Sequence, residues 1–364
     1  MQTFTMVVIL LAAATPILLA GISHSADNRA ERFRHSGRVQ FEASLDPARE
    51  RYSEAPTGFD GRTNGFTPQG PDFDTLDEDN VEPLRSFNDN RFIFEEVELA
   101  ADGLGPTYNA QSCSECHQNV VTGGASQIAE HRTGRLDVSG GFFESLGGSL
   151  IHSRATHQNI VERLAFEDDV RTYRISTNTL GTGFVECIAN ESFLALQAGQ
   201  PSEMRGTAVM VPVLEANSEA RIGRFGWKSQ HASLVSFSAD AYLNEMGITS
   251  PLFPDENTSA GRFVGYGSGY DKVADPEDDG VDIVAFANFT RSTKAPSRGR
   301  ITRKVQSGPL WALRTRNRLM HDGLSFTKQE AIQRHTGQAT AVRDDYNALS
   351  DEQRRLLLAF LDSL

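Results

Sequence analysis

Cys113-Ser114-Glu115-Cys116-His117 is the stretch on which the fold reading turns. It has the Cys-x-x-Cys-His spacing of covalent haem attachment. Cysteines three positions apart share one face of a helical turn, so both thiols can add to the two vinyl groups of one porphyrin. His117 then presents its imidazole to the iron as the proximal ligand. The chain has only three cysteines, and this motif uses two of them. A zinc site would need further thiolates or a histidine pair, and a disulfide or a chance match would leave His117 unexplained. Cys187 has no cysteine partner and reads as a buried structural thiol.

Outward from the motif, Gly103-Leu104-Gly105-Pro106 stops a helix expected over Phe92–Leu99, and Gly123-Gly124 ends the haem turn. Val170–Ile175 alternates as a strand does. Thr207–Leu214 is β-branched, and Pro212 restricts it to an edge strand or an extended loop. Ala232–Asn244 reads as a helix with Leu234, Phe237 and Ala241 inward. Asp275-Pro276-Glu277 offers a cap, a first-turn proline and acidic residues for a helix running to about Thr293. The same DPEDDGVD stretch faintly resembles a calcium loop. Its twelfth position is Phe286 rather than a bidentate glutamate, so a solvated helix start is the reading and calcium the alternative. Thr327 with Glu330, and Ser350 with Gln353, make capping boxes. Leu357, Phe360, Leu361 and Leu364 then form an apolar stripe.

The chain has 364 residues, a formal charge of -13 and 39% hydrophobic residues. That length suits one large or two smaller domains. The negative charge excludes nucleic acid as a natural partner and suits a basic redox partner protein such as a small cytochrome. Met1–Ser25 carries no charged residue and is apolar over Met6–Ala20, which reads as a signal peptide and hence a periplasmic or otherwise exported protein. Membrane contact is expected only if this segment is an uncleaved anchor. Residues 26–84 read as an extended lead segment.

Several motifs together resemble one family. GLGPTYNAQSCSECH (103–117), MVPVLEA (210–216), GRFGWK (223–228), MGITSPL (246–252) and GPLWALRTRNRLMHDG (308–323) look like the di-haem oxidoreductases, bacterial c-type cytochromes also called thiol oxidoreductase-like or peroxidase-like. EAIQRH (330–335) and LLAFLDSL (357–364) extend the likeness, which covers about residues 85–364. The resemblance implies a mainly α protein: a cytochrome c-like haem domain over 85–298 with a loop-rich mixed insertion, then a truncated second cytochrome c-like helical lobe over 299–364.

The family carries two Cys-x-x-Cys-His motifs. Here only Ser297–Ser307 separate Ser292-Thr293-Lys294-Ala295-Pro296 from Gly308-Pro309-Leu310-Trp311, and no cysteine follows Cys187. One covalent haem c is therefore expected. By resemblance His335, fourteen residues after His321, is an axial ligand without its haem, although a helix-end histidine is the simpler reading.

The distal ligand of the haem on His117 is open between His231, Met246 and His131, and that choice separates electron transfer from ligand chemistry. His152 and His157 read as surface residues. Three functions remain in play: an exported electron-transfer haem protein, a peroxide-reducing oxidoreductase, or a non-catalytic deletion variant. Catalytic residues cannot be named from the sequence.

Overall fold

The computed structural model describes residues 84–119, 121–293, 310 and 313–362. The expected signal peptide and lead segment, the Ser297–Ser307 junction, Trp311 and Leu364 lie outside the described residues.

The architecture is mixed α and β, not mainly α. Strand β2 (Ala129–Leu136) pairs antiparallel with β3 (Phe142–Glu144), β4 (Leu150–Ile151) and β6 (Val170–Ile175). Strand β1 (Thr107–Tyr108) pairs with β5 (Arg154–Ala155), and β7 (Met210–Val213) pairs with β8 (Glu219–Ile222). The cytochrome c-like expectation gives way here because residues 129–175 satisfy their backbone groups across strands rather than along helices. Val170–Ile175 is the strand its alternation predicts. Met210–Val213 carries Pro212 in a two-stranded sheet, where a lost N–H is tolerated.

Helix α1 (Leu84–Glu95) packs on α6 (Val281–Ser292), and α6 on α5 (Leu234–Ala241). Their contact is largely aromatic. Phe94 lies 4.7 Å from Phe289 and 6.2 Å from Phe286, ring centre to ring centre, and Tyr242 stands edge-on to Phe286 at 5.0 Å. Burying a phenylalanine contributes about 1.5–3 kcal/mol, so this cluster holds the three helices together. Cys113 packs against the same cluster.

Three boundaries differ from expectation. Helix α1 stops at Glu95, and Val97 and Leu99 are exposed. In α5 the inward residues are Leu234, Val235, Ser236 and Ala239, while Ala241 is half-buried. A π turn, Tyr242–Met246, follows α5 directly and shifts the buried face onto Tyr242, Leu243 and Met246. Helix α6 begins at Val281 rather than near Pro276. Its N-cap position is Gly280, and the Asp278 carboxylate, two residues before it, accepts from Gly280 N at 2.9 Å and from Asp282 N in the first turn at 3.2 Å. An Asp three residues further on therefore did the work assigned to Asp275.

Helices α7 (Lys328–Gln333), α8 (Thr340–Ala348) and α9 (Asp351–Leu361) close the chain. The Ser350–Gln353 capping box is formed, and Thr327 accepts from Glu330 N. Leu361 joins Leu313, Leu319 and Ala331 in a second apolar cluster, separate from that of α1 and α6. Among the described residues no helix is long and apolar enough to cross a membrane.

Candidate haem site

Helix α2 (Cys113–Cys116) is a single turn. Ser112 caps it by accepting from Glu115 N at 3.1 Å, and the Glu115 carboxylate returns to Gln111 N at 2.8 Å. Arg154 on β5 grips Glu115 through two bonds, 2.5 and 3.2 Å. Burial works against the Glu115 carboxylate, but the Arg154 and Gln111 bonds outweigh it and hold its pKa low. The turn is thus fixed from both ends, with Cys113, Cys116 and His117 all half-buried.

The His117 ring is oriented by its Nδ1, 3.1 Å from the Gly124 carbonyl oxygen. A protonated Nδ1 donating to that carbonyl places the ring's lone pair on Nε2, the nitrogen that a proximal histidine offers to iron, and the Thr177 backbone also bonds this ring. Burial also pushes the His117 pKa down, favouring the neutral ligating form. Gly124 is required here, since a Cβ would stand 2.2 Å from the Asn119 carbonyl oxygen. Phe94 covers the ring at 6.3 Å. Burial pushes the Cys113 thiol well up and the Cys116 thiol up to about 12, so neither exists as a free thiolate at neutral pH. Two protonated, half-buried thiols on one turn beside a neutral, oriented imidazole are a donor set that fits a covalently attached haem.

The three distal candidates fare differently. Met246 is 3% exposed and belongs to the apolar cluster against which Cys113 packs. Gly105 N donates to the Met246 carbonyl at 2.9 Å, and Asn109 N to that of Glu245 at 2.7 Å, so the π turn is docked on the segment leading into the haem motif. His231 is buried, its Nε2 3.4 Å from an Asp240 carboxylate oxygen and its ring against Phe237 and Phe253. His131 is half-buried on β2, stacked on the Tyr173 ring at 4.5 Å.

Other histidines and Cys187 need correction. His152 is not a surface residue: it is 3% exposed, with Nδ1 3.0 Å from Glu162 and Nε2 2.9 Å from the Asn244 carbonyl of the π turn. His157 is half-buried, edge-on to Tyr270. Cys187 is exposed, because it closes the short helix α3 (Thr182–Glu186) on its outer side. His335 Nδ1 lies 2.7 Å from the Ala331 carbonyl oxygen one turn back, as a helix-end histidine does.

Sequence reasoning missed a polar group beside the motif. Glu245 on the π turn and Glu130 on β2 share a side-chain hydrogen bond, and both act electrostatically on Cys116. Asn109 donates to Glu245 at 3.2 Å, and Arg132 pairs with Glu130 at 2.9 Å. Desolvation, with repulsion from Glu130, raises the Glu245 pKa well above its ordinary value and so favours its protonated form. Nothing in the local patterning marks residues 115 positions apart as neighbours. Trp227, from GRFGWK, donates to the Ile175 carbonyl at 3.0 Å and stands edge-on to His321 at 6.1 Å.

Residues 143–290 match the family model described as "Di-haem oxidoreductase, putative peroxidase". The resemblance read from the motifs holds over that stretch, which carries β3 to β8 and nearly all of α6 and begins after Cys113–His117. No curated protein and no solved structure matches the chain.

Proposed function

We propose that this protein is an exported oxidoreductase carrying one haem c on Cys113, Cys116 and His117 and passing single electrons to and from a partner protein. The observation that carries the reading is the His117 ring, oriented through Nδ1 by the Gly124 carbonyl beside two thiols of one turn. The haem, once bound, supplies the one-electron redox couple. The chain's residues do the rest. His117 ligates, Phe94 and Met246 exclude water from their side of the site, and the acidic surface attracts a basic partner. Of the distal candidates Met246 is favoured, because it shares the cluster that packs against Cys113. The absence of a second Cys-x-x-Cys-His motif favours a single covalent haem.

The second reading is peroxide reduction, and the Glu130–Glu245 pair is the observation that favours it. Peroxide reduction to water takes two electrons and two protons, and Glu245, whose pKa burial beside Glu130 raises, can hold and deliver a proton. One reduced haem supplies a single electron, so the other must come from a second donor. A redox titration followed by visible spectroscopy, with added peroxide, separates the readings. A six-coordinate low-spin iron unchanged by peroxide supports electron transfer. A high-spin iron that turns peroxide over overturns it in favour of the second reading.

A further inference from the structure

We propose that Glu256, Asp271, Asp275 and Glu277 form a calcium site that fastens the 256–277 segment to the wall of the haem pocket. One oxygen from each of the four carboxylates lies within 4.8 Å of the others. That bound is compatible with oxygens around a sphere of about 2.4 Å radius, the Ca²⁺–oxygen distance, and four carboxylates from separate turns suit the flexible, oxygen-rich shell of Ca²⁺ better than the near-ideal octahedron and retained waters of Mg²⁺. The donor set is all oxygen, which selects a hard cation.

The second observation is a set of orphaned atoms. Asp271 is only 9% exposed, and its Oδ2 has no hydrogen-bond partner. Glu256 Oε2 and Glu277 Oε1 are likewise buried without partners. In each residue the other oxygen is already held. Glu256 Oε1 accepts from Asn257 N at 2.7 Å, Asp271 Oδ1 from Val273 N at 3.0 Å, and Glu277 Oε2 from Thr249 N at 2.8 Å. Three carboxylates are therefore each braced on one oxygen and unsatisfied on the other. A buried acceptor without a donor costs about 1–3 kcal/mol, and a shared cation removes that cost at all three.

The ligands differ from the twelve-residue loop pattern weighed at 275–286. Only Asp275 and Glu277 come from that stretch, and the other two come from earlier turns. Through Thr249 the site reaches the Met246–Thr249 strap, and Gly103, whose added Cβ would lie 2.7 Å from Glu277, closes over it.

The test uses the full-length protein and calcium chloride as the probe. Isothermal titration in 150 mM salt should show one saturable Ca²⁺ site per chain, with Mg²⁺ binding at least tenfold more weakly. At saturating Ca²⁺ the unfolding midpoint should lie about 5 °C or more above that in EDTA. Asp275→Asn, at an exposed ligand whose loss the fold should tolerate, should weaken Ca²⁺ binding about tenfold. Asp271→Asn should abolish the midpoint shift. No saturable Ca²⁺ binding by the wild type, or an unchanged affinity in Asp275→Asn, would overturn the proposal.

Discussion

Replacing His152 by alanine probes the anchoring of the π turn. His152 joins two segments: its Nδ1 meets Glu162 at 3.0 Å, and its Nε2 meets the Asn244 carbonyl at 2.9 Å. Both side chains of the pair are 3% exposed. Breaking a buried pair by removing one partner costs about 3–5 kcal/mol, because the other charge stays behind. Here Glu162 keeps two backbone donors, His152 N at 2.6 Å and Ala260 N at 3.0 Å, so the lower end applies. About 3 kcal/mol corresponds to a fall in midpoint of about 4–6 °C in a chain of this size. Thermal unfolding followed by circular dichroism at pH 7 measures it.

The pH dependence adds a second check. Burial tends to raise the Glu162 pKa, but the His152 bond and the backbone donors hold it below its ordinary 4.5. A carboxylate with a depressed folded pKa contributes stability above its unfolded pKa and loses it as pH falls through the folded value. The gap between wild type and variant should therefore be full at pH 7 and narrow below about pH 4.5. A shift under 2 °C at pH 7, or a gap that widens in acid, would refute this anchoring.

Phe289→Ala should destabilise by about 3–5 kcal/mol, since Phe289 is fully buried between Phe87 and Phe94; urea unfolding reports it. Gly247→Ala should disrupt the pocket wall, because at φ +68° its Cβ would stand 2.7 Å from the Thr107 carbonyl and 2.8 Å from that of Gly105; a wild-type midpoint would contradict that close approach. Glu186→Gln should cost about 1.5–3 kcal/mol, as Glu186 accepts from Arg291 Nε at 2.7 Å, Arg291 Nη2 at 3.0 Å and Leu234 N at 2.7 Å; chemical denaturation checks it. If the protein turns over peroxide, Glu245→Gln should lower kcat by about 10²-fold or more with haem content unchanged, and equal turnover would remove the carboxyl pair from the chemistry.

Local chemistry was legible where one short segment settles it. The Cys113–His117 turn, the Val170–Ile175 strand and the Ser350–Gln353 box depend on spacing, alternation and side-chain reach, which sequence displays directly. What depended on distant partners was not legible. Residues 129–175 became a sheet because β2 found partners on both edges, whereas the expected mainly α fold came from family likeness. Glu245 met Glu130, and Glu256 met Asp271, across loops with no periodicity. His152 read as surface because its burial is set by Glu162 and the π turn rather than by its own neighbours.

Haem attachment is tested most directly by the mass of the mature protein, produced in a host able to attach c-type haem and denatured before measurement. One covalent haem per chain is expected, lost in Cys113→Ala/Cys116→Ala and lying on the peptide that contains Cys113 and Cys116. A chain without covalent haem, or one carrying two, would contradict the reading.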